Sequence, residues 1–407
     1  MVQGKVPETG GAVPLYGERF EGATEELFRE MRREHGSVVP VLLEDGEPAW
    51  LVIGYREAHQ VLADSRLFSR DPYRCNGPDY VPPQAVGYTP GMLMSLDGEV
   101  HARRVGAVAD ALAEVDQFQL RGDCERFADR LIDTFAATGE IDLMEHYAYR
   151  MPALVMGGML GLPDADLLGV AEDMKIMSNG REDAMDAYIR FTGVMARLIE
   201  AKRVQPGQDV MSRLLGYDTG ITDEELIHDI LVVISGSQDN TANWIGNTLR
   251  LMLTDDRFAL TLSGGRSSVG QALNEVLWED TPVKAAPGRW ATRDTELGGR
   301  TIRGGDVIIV GLAGASADPR VRSTVHGDSG GNHAHLAFGT GDHGCPHPAP
   351  ELAEVIARTA IEVLLDRLPD VRLAVPEEEL QWRPAFHVRG LAALPVRFTP
   401  AYVVEHG

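Results

Sequence analysis

The stretch HLAFGTGDHGCPHPAPELAE, residues 335–354, ends a glycine-rich run on Cys345. It contains three glycines before the cysteine: Gly339, Gly341 and Gly344. Glycines let a loop fold tightly and let a ligand approach the backbone closely. The prolines after Cys345 suit a first helical turn, and an apolar helical pattern follows over Pro350–Leu368. The stretch therefore predicts a lone thiol at the end of a tight loop, before a helix whose dipole favours a thiolate.

Three interpretations of Cys345 are open from the residues alone. A lone cysteine is most often a small apolar filler of a protein core. Cys345 could also join a zinc site with nearby histidines, which are His333, His335, His343 and His347. The alternating His-x-Cys-x-His spacing suits chelation poorly, and the paired Cys-x-x-Cys turns of zinc sites are absent from the sequence. In the third interpretation, the Cys345 thiolate is the axial ligand of a haem iron.

Composition limits the classes of protein to consider. The 407 residues are 44% hydrophobic and 24% charged, which is typical of a globular protein with a large core. The net charge of −23 excludes nucleic acid as the partner, because phosphate binding needs a basic surface. The three cysteines are too few for a disulfide framework and favour a reducing cytoplasm. No apolar run long enough for a membrane span and no signal-peptide pattern is visible, so we expect a cytoplasmic protein without a membrane partner.

The order of apolar patterns predicts a mainly α fold with small β-sheets. Helices are expected over Ala23–Glu34, through residues 100–204 with breaks at Gly139, Leu162-Pro163, Gly180 and Pro206-Gly207, and over Pro350–Leu368. Strands are expected at Val38–Leu43, Ala49–Ile53, Thr292–Ile302, Val307–Val310 and Gly390–Phe398. Asp45-Gly46 indicates a hairpin between the first two strands. We expect the small sheets from both ends of the sequence to meet in space, and Ser323–Asn332 to be a loop.

One predicted helix is unusually long. A capping box formed by Thr222 and Glu225 begins it, and the apolar pattern continues to about Leu253. Seven small or polar residues, Ser235–Thr241, occupy its middle, so some of them must face the core and need polar partners. Gly236 would allow a kink or the close approach of another group. The alternative is a solvent-exposed break between two separate helices.

The residues Phe338-Gly-Thr-Gly-Asp-His-Gly-Cys345 resemble the haem-binding loop of the cytochrome P450 family, Phe-Gly-x-Gly-x-His-x-Cys. The resemblance extends over residues 15–399 and includes the order of the long polar-centred helix, a helix bearing Glu275 and the strand bearing Arg289. It implies the cytochrome P450 fold as a single haem-thiolate domain over residues 1–407. It also implies b-type haem (iron protoporphyrin IX) between the long helix and the last helix, with Cys345 as the axial iron ligand.

Further haem contacts are implied residue by residue. Phe338 belongs to the haem-binding loop, and His343 and Arg289 match residues that bind the haem propionates. His101 matches the histidine of the family's His-x-x-x-Arg pattern, whose arginine position is Val105 here. Arg104, one residue earlier, is the nearest replacement, although one residue along a helix rotates a side chain by about 100°.

The chain departs from the family around the cysteine loop. The family's Glu-x-x-Arg is Glu275-Val-Leu-Trp278 here, as in a minority of bacterial members, and Trp278 offers one N–H and no positive charge. We expect Trp278 to pack where the arginine would lie. Glu275 should bond a backbone amide or another arginine, because an unpaired buried carboxylate is costly. His347 occupies the position of a family glycine, so the surface where redox partners dock should be reshaped.

The centre of the long helix also differs. Alignment on the following Thr-Ala-Asn places Asp239 on the family's acidic residue and Asn240 where a threonine normally helps to protonate bound dioxygen. An amide donates hydrogen bonds but cannot relay a proton as a hydroxyl does. Thr241 carries a hydroxyl, but it lies about 100° further round the helix. Asp239, Asn240 and Thr241 are therefore the candidate catalytic residues.

The resemblance implies a haem-thiolate monooxygenase that oxidises a small organic substrate with dioxygen, in specialised metabolism. Electrons would come from NAD(P)H through an external ferredoxin and ferredoxin reductase, since no flavin or reductase module is visible in the sequence. Asn240 motivates one alternative, a peroxide-using or non-oxygenase enzyme that performs coupling or rearrangement. The altered residues after Cys345 motivate a third, a non-catalytic haem-binding regulatory partner protein.

Overall fold

The computed structural model describes residues 11–17, 20, 24–178, 183–259, 267–321 and 332–401. The chain forms two compact units, each assembled from separated segments. The first unit comprises residues 1–102, 274–345 and 382–389, and the second comprises residues 103–273, 346–381 and 390–407. That the whole chain acts as one domain stays a prediction.

Helices dominate the described part of the chain. Their bounds are α1 Thr24–His35, α2 Tyr55–Ala63, α3 Pro72–Asn76, α4 Gly98–Ala113, α5 Gln117–Asp133, α6 Arg150–Leu160, α7 Asp164–Ser178, α8 Ala184–Val204, α9 Val210–Gly216, α10 Asp223–Thr254, α11 Asp256–Ala259, α12 Ser267–Glu279, α13 Leu312–Ser316 and α14 Ala349–Arg367. Short 3₁₀ turns lie at Gln84–Val86, Leu93–Ser95 and Glu377–Glu379, and a π-helical turn at Met144–Ala148.

The strands are short. Their bounds are β1 Val13–Pro14, β2 Val38–Leu42, β3 Pro48–Val52, β4 Phe68–Ser69, β5 Glu140–Asp142, β6 Ala286–Ala291, β7 Thr295–Leu297, β8 Arg300–Ile302, β9 Val307–Val310, β10 Arg372–Leu373 and β11 Pro395–Arg397. The prediction of a mainly α fold with small β-sheets is confirmed. The run predicted at Thr292–Ile302 is a two-stranded hairpin, β7–β8, with its turn at two glycines of positive φ.

The first unit is built on a six-stranded sheet in the order β1-β2-β3-β9-β6-β4. β2 and β3 form the predicted antiparallel hairpin, with Gly46 at φ 79° and its N–H donating to the Leu43 carbonyl. Parallel pairing of β3 with β9, in which Trp50 lies opposite Ile308, then joins the N-terminal hairpin to a strand 258 residues later. Side chains alternate between two buried clusters, because successive strand residues point to opposite faces. One cluster takes Val39, Val41, Leu51 and Ile309, and the other takes Val38, Val52, Ile308 and Val310.

The expectation that sheets from both ends of the sequence meet is correct only in part. The N-terminal strands pair with β6 and β9, as expected. The last predicted strand run shortens to β11, which pairs with β5 and β10 in a separate three-stranded sheet of the second unit. Prolines such as Pro395 and Pro400 cannot donate to a ladder, which limits how far this strand extends.

The second unit is organised around α10. The predicted capping box is present: the Thr222 hydroxyl accepts from the Glu225 N–H, and the Glu225 carboxylate accepts from the Thr222 N–H at 2.8 Å. The helix runs unbroken for 32 residues, so the alternative of two helices with an exposed break is wrong. Its polar centre is partly buried, as predicted, since Gln238 is 5% and Thr241 3% exposed. Within this unit α10 packs against α6 and α14.

The other predicted boundaries are close to those observed. Gly139 lies in the turn before β5, Leu162-Pro163 separates α6 from α7, and Pro206-Gly207 follows α8. The expected break at Gly180, and all of the predicted loop Ser323–Asn332 except Asn332 itself, lie outside the described residues. In the part of the chain that the structure describes, no helix combines the length and apolarity needed to span a membrane.

Candidate haem-binding and catalytic site

Hydrogen bonds and glycines shape the loop that ends at Cys345. The Cys345 N–H donates to the Phe338 carbonyl at 2.8 Å, and the Gly344 N–H donates to Gly341 at 3.0 Å. Gly339 and Gly341 have φ values of 70° and 73°, which L side chains rarely adopt. A Cβ on Gly341 would also lie 2.7 Å from the Leu62 carbonyl oxygen. The glycines are therefore needed both for the turn and for its close approach to the end of α2.

The Cys345 thiol is accessible at the end of this loop. Protein atoms crowd the sulfur on its other sides, and this desolvation raises the pKa of the thiol. The direction is opposite to the effect expected from the dipole of α14, which begins only at Ala349. Cys345 is thus positioned as a free thiol, and deprotonation would have to be favoured by a bound cation or metal.

Two residues before the cysteine, His343 joins a buried polar cluster. Its Nε2 lies 3.0 Å from Oδ1 of Asp97. Asp97 Oδ2 accepts from the Ser69 hydroxyl and from the N–H groups of Arg70 and Asp71. Burial opposes ionisation of Asp97, but the hydrogen bonds from His343 and Ser69 outweigh it and lower the pKa of this carboxyl to about 2. Asp97 therefore holds the His343 ring as a charged acceptor.

His101 stacks against the same histidine. The ring centroids of His101 and His343 are 4.0 Å apart, with the planes tilted by 39°. Burial, and secondarily the neighbouring His343, lower the pKa of His101 to about 4. His101 is therefore neutral at pH 7 and presents one N–H donor.

Arg289 is the most deeply buried cation of this cluster, with 1% of its surface exposed. It lies on β6, where a register shift between Ala286 and Arg289 bends the strand around Gly288. Its Nη1 donates to the Phe68 carbonyl at 3.3 Å, and its Nη2 has no hydrogen-bond partner among the described residues. Burial, and next the nearby Arg70, lower the pKa of Arg289 to about 9.

Trp278 stands where the family has an arginine, and it makes a different contact. Its Nε1–H donates to the Asn332 carbonyl at 2.8 Å, and Asn274 Nδ2 donates to the same oxygen at 3.2 Å. The indole packs edge-on against the His335 ring, with the ring centroids 6.1 Å apart. The centroids of the His335 and Phe338 rings are 5.9 Å apart. Trp278 packs into the core as expected, and it connects α12 to the segment that leads into the cysteine loop.

Glu275 is 4% exposed on the same helix and is not without a partner. The geometry thus agrees with the expectation that this carboxylate is not left buried and uncompensated.

Arg104 bonds a carboxylate that the sequence does not predict as its partner. Its Nε donates to Asp229 Oδ2 at 2.8 Å, and its Nη2 donates to Oδ1 of the same carboxylate. Both side chains are almost fully buried in the second unit. The two-pronged face of this guanidinium is therefore directed at Asp229 on α10, and a haem-binding role for Arg104 stays a prediction that this geometry does not favour.

The candidate catalytic residues lie at the centre of α10. Asn240 Nδ2 donates to the Gly236 carbonyl at 2.7 Å, one turn earlier. A Cβ at Gly236 would meet nothing within 4 Å, so the backbone is open there. Asp239 and Asn240 are partly buried, whereas Thr241 is buried on a different face. The structure separates Thr241 from the other two, and their catalytic roles stay predictions.

Sequence reasoning missed three residues that the structure places beside the predicted ones. They are Arg70, Asp97 and Asp229. Asp97 directly precedes α4, and Arg70 directly follows a strand, but nothing in either local pattern signals a buried partner. The zinc interpretation finds no support in the described ranges, because no three His, Cys, Asp or Glu side chains are grouped there to hold a metal ion.

The known proteins to which this chain is similar are cytochrome P450 proteins. The chain is 31% identical over 395 residues to the cytochrome P450 monooxygenase PikC of Streptomyces venezuelae, covering 94% of this chain and 92% of PikC. Among solved structures it resembles cytochrome P450 PksS of Bacillus subtilis, with a TM-score of 0.83, 25% identity and coverage of 95% and 99%. It also resembles CxnD, a cytochrome P450 enzyme for C–S bond formation in chuangxinmycin biosynthesis, with a TM-score of 0.79, 28% identity and coverage of 96% and 98%.

No protein-family model matches the chain. The similarity to PikC nevertheless spans almost all of both sequences, and the helices, small sheets and cysteine loop lie in the order that the family has. This chain belongs to the cytochrome P450 family, whose members are haem-dependent oxidoreductases, and its curated relatives are monooxygenases.

Proposed function

We propose that this cytochrome P450 uses Cys345 as the thiolate ligand of haem iron and oxidises a small organic molecule of specialised metabolism with dioxygen. The observation that carries the proposal is the cysteine loop. It presents an accessible thiol, is fixed by the Cys345-to-Phe338 hydrogen bond, and has buried basic groups two residues upstream and on β6.

The residues present fit a haem. Haem carries two carboxylates, and buried carboxylates need cationic or hydrogen-bonding partners. Arg289 has a buried Nη2 without a hydrogen-bond partner among the described residues, which is the kind of donor that such a carboxylate would satisfy. His343 and His101 stack beside each other as further ring donors, and Phe338 would pack against the flat macrocycle. Cys345 supplies the sulfur that soft metal ligation requires.

When bound, the haem would supply the iron that binds and activates dioxygen. The residues of the chain then have separate tasks. The Cys345 thiolate would hold the iron and donate electron density to it, and Arg289 and His343 would fix the orientation of the macrocycle. Asp239 is the proton-carrying group near the open backbone of Gly236. Asn240, whose Nδ2 is bonded to Gly236, orients water by hydrogen bonding and does not itself pass a proton.

We propose that electrons arrive from NAD(P)H through a separate ferredoxin and ferredoxin reductase. No reductase or flavin-binding module is recognisable in the sequence. The substrate is expected to be a product of a biosynthetic pathway, because the similar protein PksS is named for polyketide biosynthesis. A non-catalytic haem-binding regulator is not favoured, because the curated relatives include hydroxylases and an N-oxygenase.

Carbon monoxide difference spectroscopy tests the haem ligand. The reduced wild-type protein should show the red-shifted Soret band of a thiolate-ligated haem, and Cys345→Ala should lose that band. Cys75→Ala, at a partly buried cysteine, is the matched control and should keep the band. A wild-type protein with bound zinc and no haem would contradict the proposal.

Turnover assays then test the reaction. Compounds that shift the haem spectrum on binding are incubated with NAD(P)H, a surrogate ferredoxin and its reductase, and labelled dioxygen. Incorporation of one labelled oxygen atom into product supports monooxygenation.

A second candidate is a peroxide-using or coupling enzyme. It is favoured by Asn240, which stands where the family has a proton-relaying threonine. The Asn240 amide instead donates a hydrogen bond to the Gly236 carbonyl. The similarity to CxnD, named for C–S bond formation, also supports it. Product formation with peroxide alone and none with dioxygen and ferredoxin would establish this second activity.

A further inference from the structure

Arg70 directly follows β4, and Arg289 lies on β6, the strand that pairs with β4. β4 and β6 are antiparallel, with Phe68 opposite Ala291 and Ser69 opposite Trp290. Arg70 is the residue after the last paired position and Arg289 precedes the partner of that position, and burial, followed by the positive charge of Arg70, lowers the pKa of Arg289. A Cβ built on Gly288 would lie 3.4 Å from Arg70 Nη1, so this guanidinium crosses directly beside the residue that precedes Arg289.

Two guanidiniums that lie close together repel each other, which destabilises the protein unless an anion compensates. Burial increases this repulsion, because water screens it less there. Burial lowers the pKa of Arg70 to about 10, with Asp97 opposing the shift. An arrangement of this kind is expected where an anion binds between the two cations.

Asp97 does not fill that role. Its two oxygens already receive four donors: His343 Nε2, the Ser69 hydroxyl, and the N–H groups of Arg70 and Asp71. Oδ2 accepts three of these donors and Oδ1 accepts one, and none of the four donors is a guanidinium. Arg289 Nη2 remains buried without a hydrogen-bond partner among the described residues.

We propose that Arg70 and Arg289 together clamp a carboxylate of the haem, and that Arg70 takes over the task of the arginine that the family has at the position of Val105. The inference rests on the proposed function, since it requires that haem binds. Arg104, the other candidate for this task, directs its guanidinium at Asp229. Arg70 Nη1 lies 3.4 Å from the position that a Cβ on Gly288 would take, which is ordinary van der Waals contact.

The test measures the rate of haem transfer from the holoprotein to excess apomyoglobin, followed by absorbance. A hydrogen bond to a charged group contributes about 1.5–3 kcal/mol, so Arg70→Met should accelerate haem loss roughly tenfold to a hundredfold. Arg74→Met is the matched control, at an exposed arginine on α3, and should lose haem at the wild-type rate. Arg70→Lys should restore part of the retention.

A second arm identifies the carboxylate as the partner. The same proteins are loaded with haem dimethyl ester, in which both carboxylates are masked. Arg70→Met should then change the loss rate by less than about twofold, because the charged partner is absent. If Arg70→Met does not fold, as judged by circular dichroism, Arg70→Gln replaces it in both arms.

Three results would overturn the inference. They are wild-type haem retention in the Arg70 variants, equal acceleration with haem and with its ester, and equal acceleration in Arg74→Met. Each of these leaves the haem-thiolate assignment intact. A wild-type protein that binds no haem would instead overturn the proposed function, and the inference with it.

Discussion

Arg104 and Asp229 form a buried, two-pronged ion pair in the second unit, with Arg104 Nε 2.8 Å from Asp229 Oδ2 and side-chain exposures of only 3% and 4%. The two residues are 125 positions apart in the sequence. Burial raises the pKa of Asp229, while the guanidinium of Arg104 opposes that shift. The pair joins α4 to the first turns of α10 and lies in the wall of a small, mostly apolar cavity.

Removing one partner of this pair should destabilise the protein strongly. Arg104→Met leaves the Asp229 carboxylate buried and uncompensated, which costs about 3–5 kcal/mol of unfolding free energy. The double variant Arg104→Met/Asp229→Leu should recover most of that loss, because no charge remains buried. Urea unfolding measures both, with Arg103→Met at the adjacent exposed position as the control. Equal losses in the single and double variants would contradict the argument.

Trp278 should act mainly through its indole N–H. Trp278→Phe keeps much of the packing but leaves the Asn332 carbonyl with only the Asn274 amide, at a cost of about 1 kcal/mol. We expect a lower melting temperature and a larger fraction of reduced, carbon-monoxide-bound protein without thiolate ligation.

Trp278→Arg restores the family motif and serves as the informative comparison. It should not be more stable than wild type, because its charge would lie against His335 in a packed, apolar environment. A strong gain in stability from this variant would show that Trp278 is less stabilising at this position than the family's arginine.

Asn240 should limit the use of electrons for product. If its amide is a weaker proton relay than a hydroxyl, part of the reducing equivalents will leave as peroxide. Asn240→Thr should raise the ratio of product to NAD(P)H consumed and lower the peroxide yield, while Asp239→Asn should slow oxygen consumption. Thr248→Val, at a buried threonine about two turns later on α10, is the control and should leave this ratio unchanged. Unchanged ratios in the Asn240 and Asp239 variants would place the proton route elsewhere.

Asp318 should govern part of the stability at acid pH. Its carboxylate accepts from the Tyr55 N–H at the start of α2 and from Arg320 Nη2 at 2.6 Å. Burial alone would raise the pKa of Asp318, but the bonds from Arg320 and Tyr55 lower it to about 2. Because the pKa in the unfolded chain is near 3.9, the stabilisation is complete above about pH 4 and is lost as pH falls towards 2.

The corresponding experiment compares Asp318→Asn with wild type by urea unfolding at several pH values. The variant should lose about 1–2 kcal/mol at pH 7, a value reduced because Arg320 is half exposed and its charge is screened. The difference should shrink below pH 4. Asp110→Asn, at an exposed aspartate of α4, should show no such dependence. A difference that stays constant down to pH 2.5 would refute the assignment.

Local chemistry made several features predictable from the sequence. The Asp45-Gly46 hairpin, the Thr222–Glu225 capping box and the tight glycine loop before Cys345 each depend on residues a few positions apart. Turn preferences and helix caps act over that range, so the pattern alone was sufficient.

The sequence alone thus determined the fold class, the cysteine loop and the position of His343, because short-range rules and a contiguous motif fix them. Only the tertiary structure decided that Arg104 meets Asp229, that Trp278 bonds Asn332, and that Arg70 lies close to Arg289. The partners in each case are tens to hundreds of residues apart. Which residues meet depends on strand register and helix packing. A long polar side chain could reach several partners in an isolated segment, and the packed structure decides which of them it bonds.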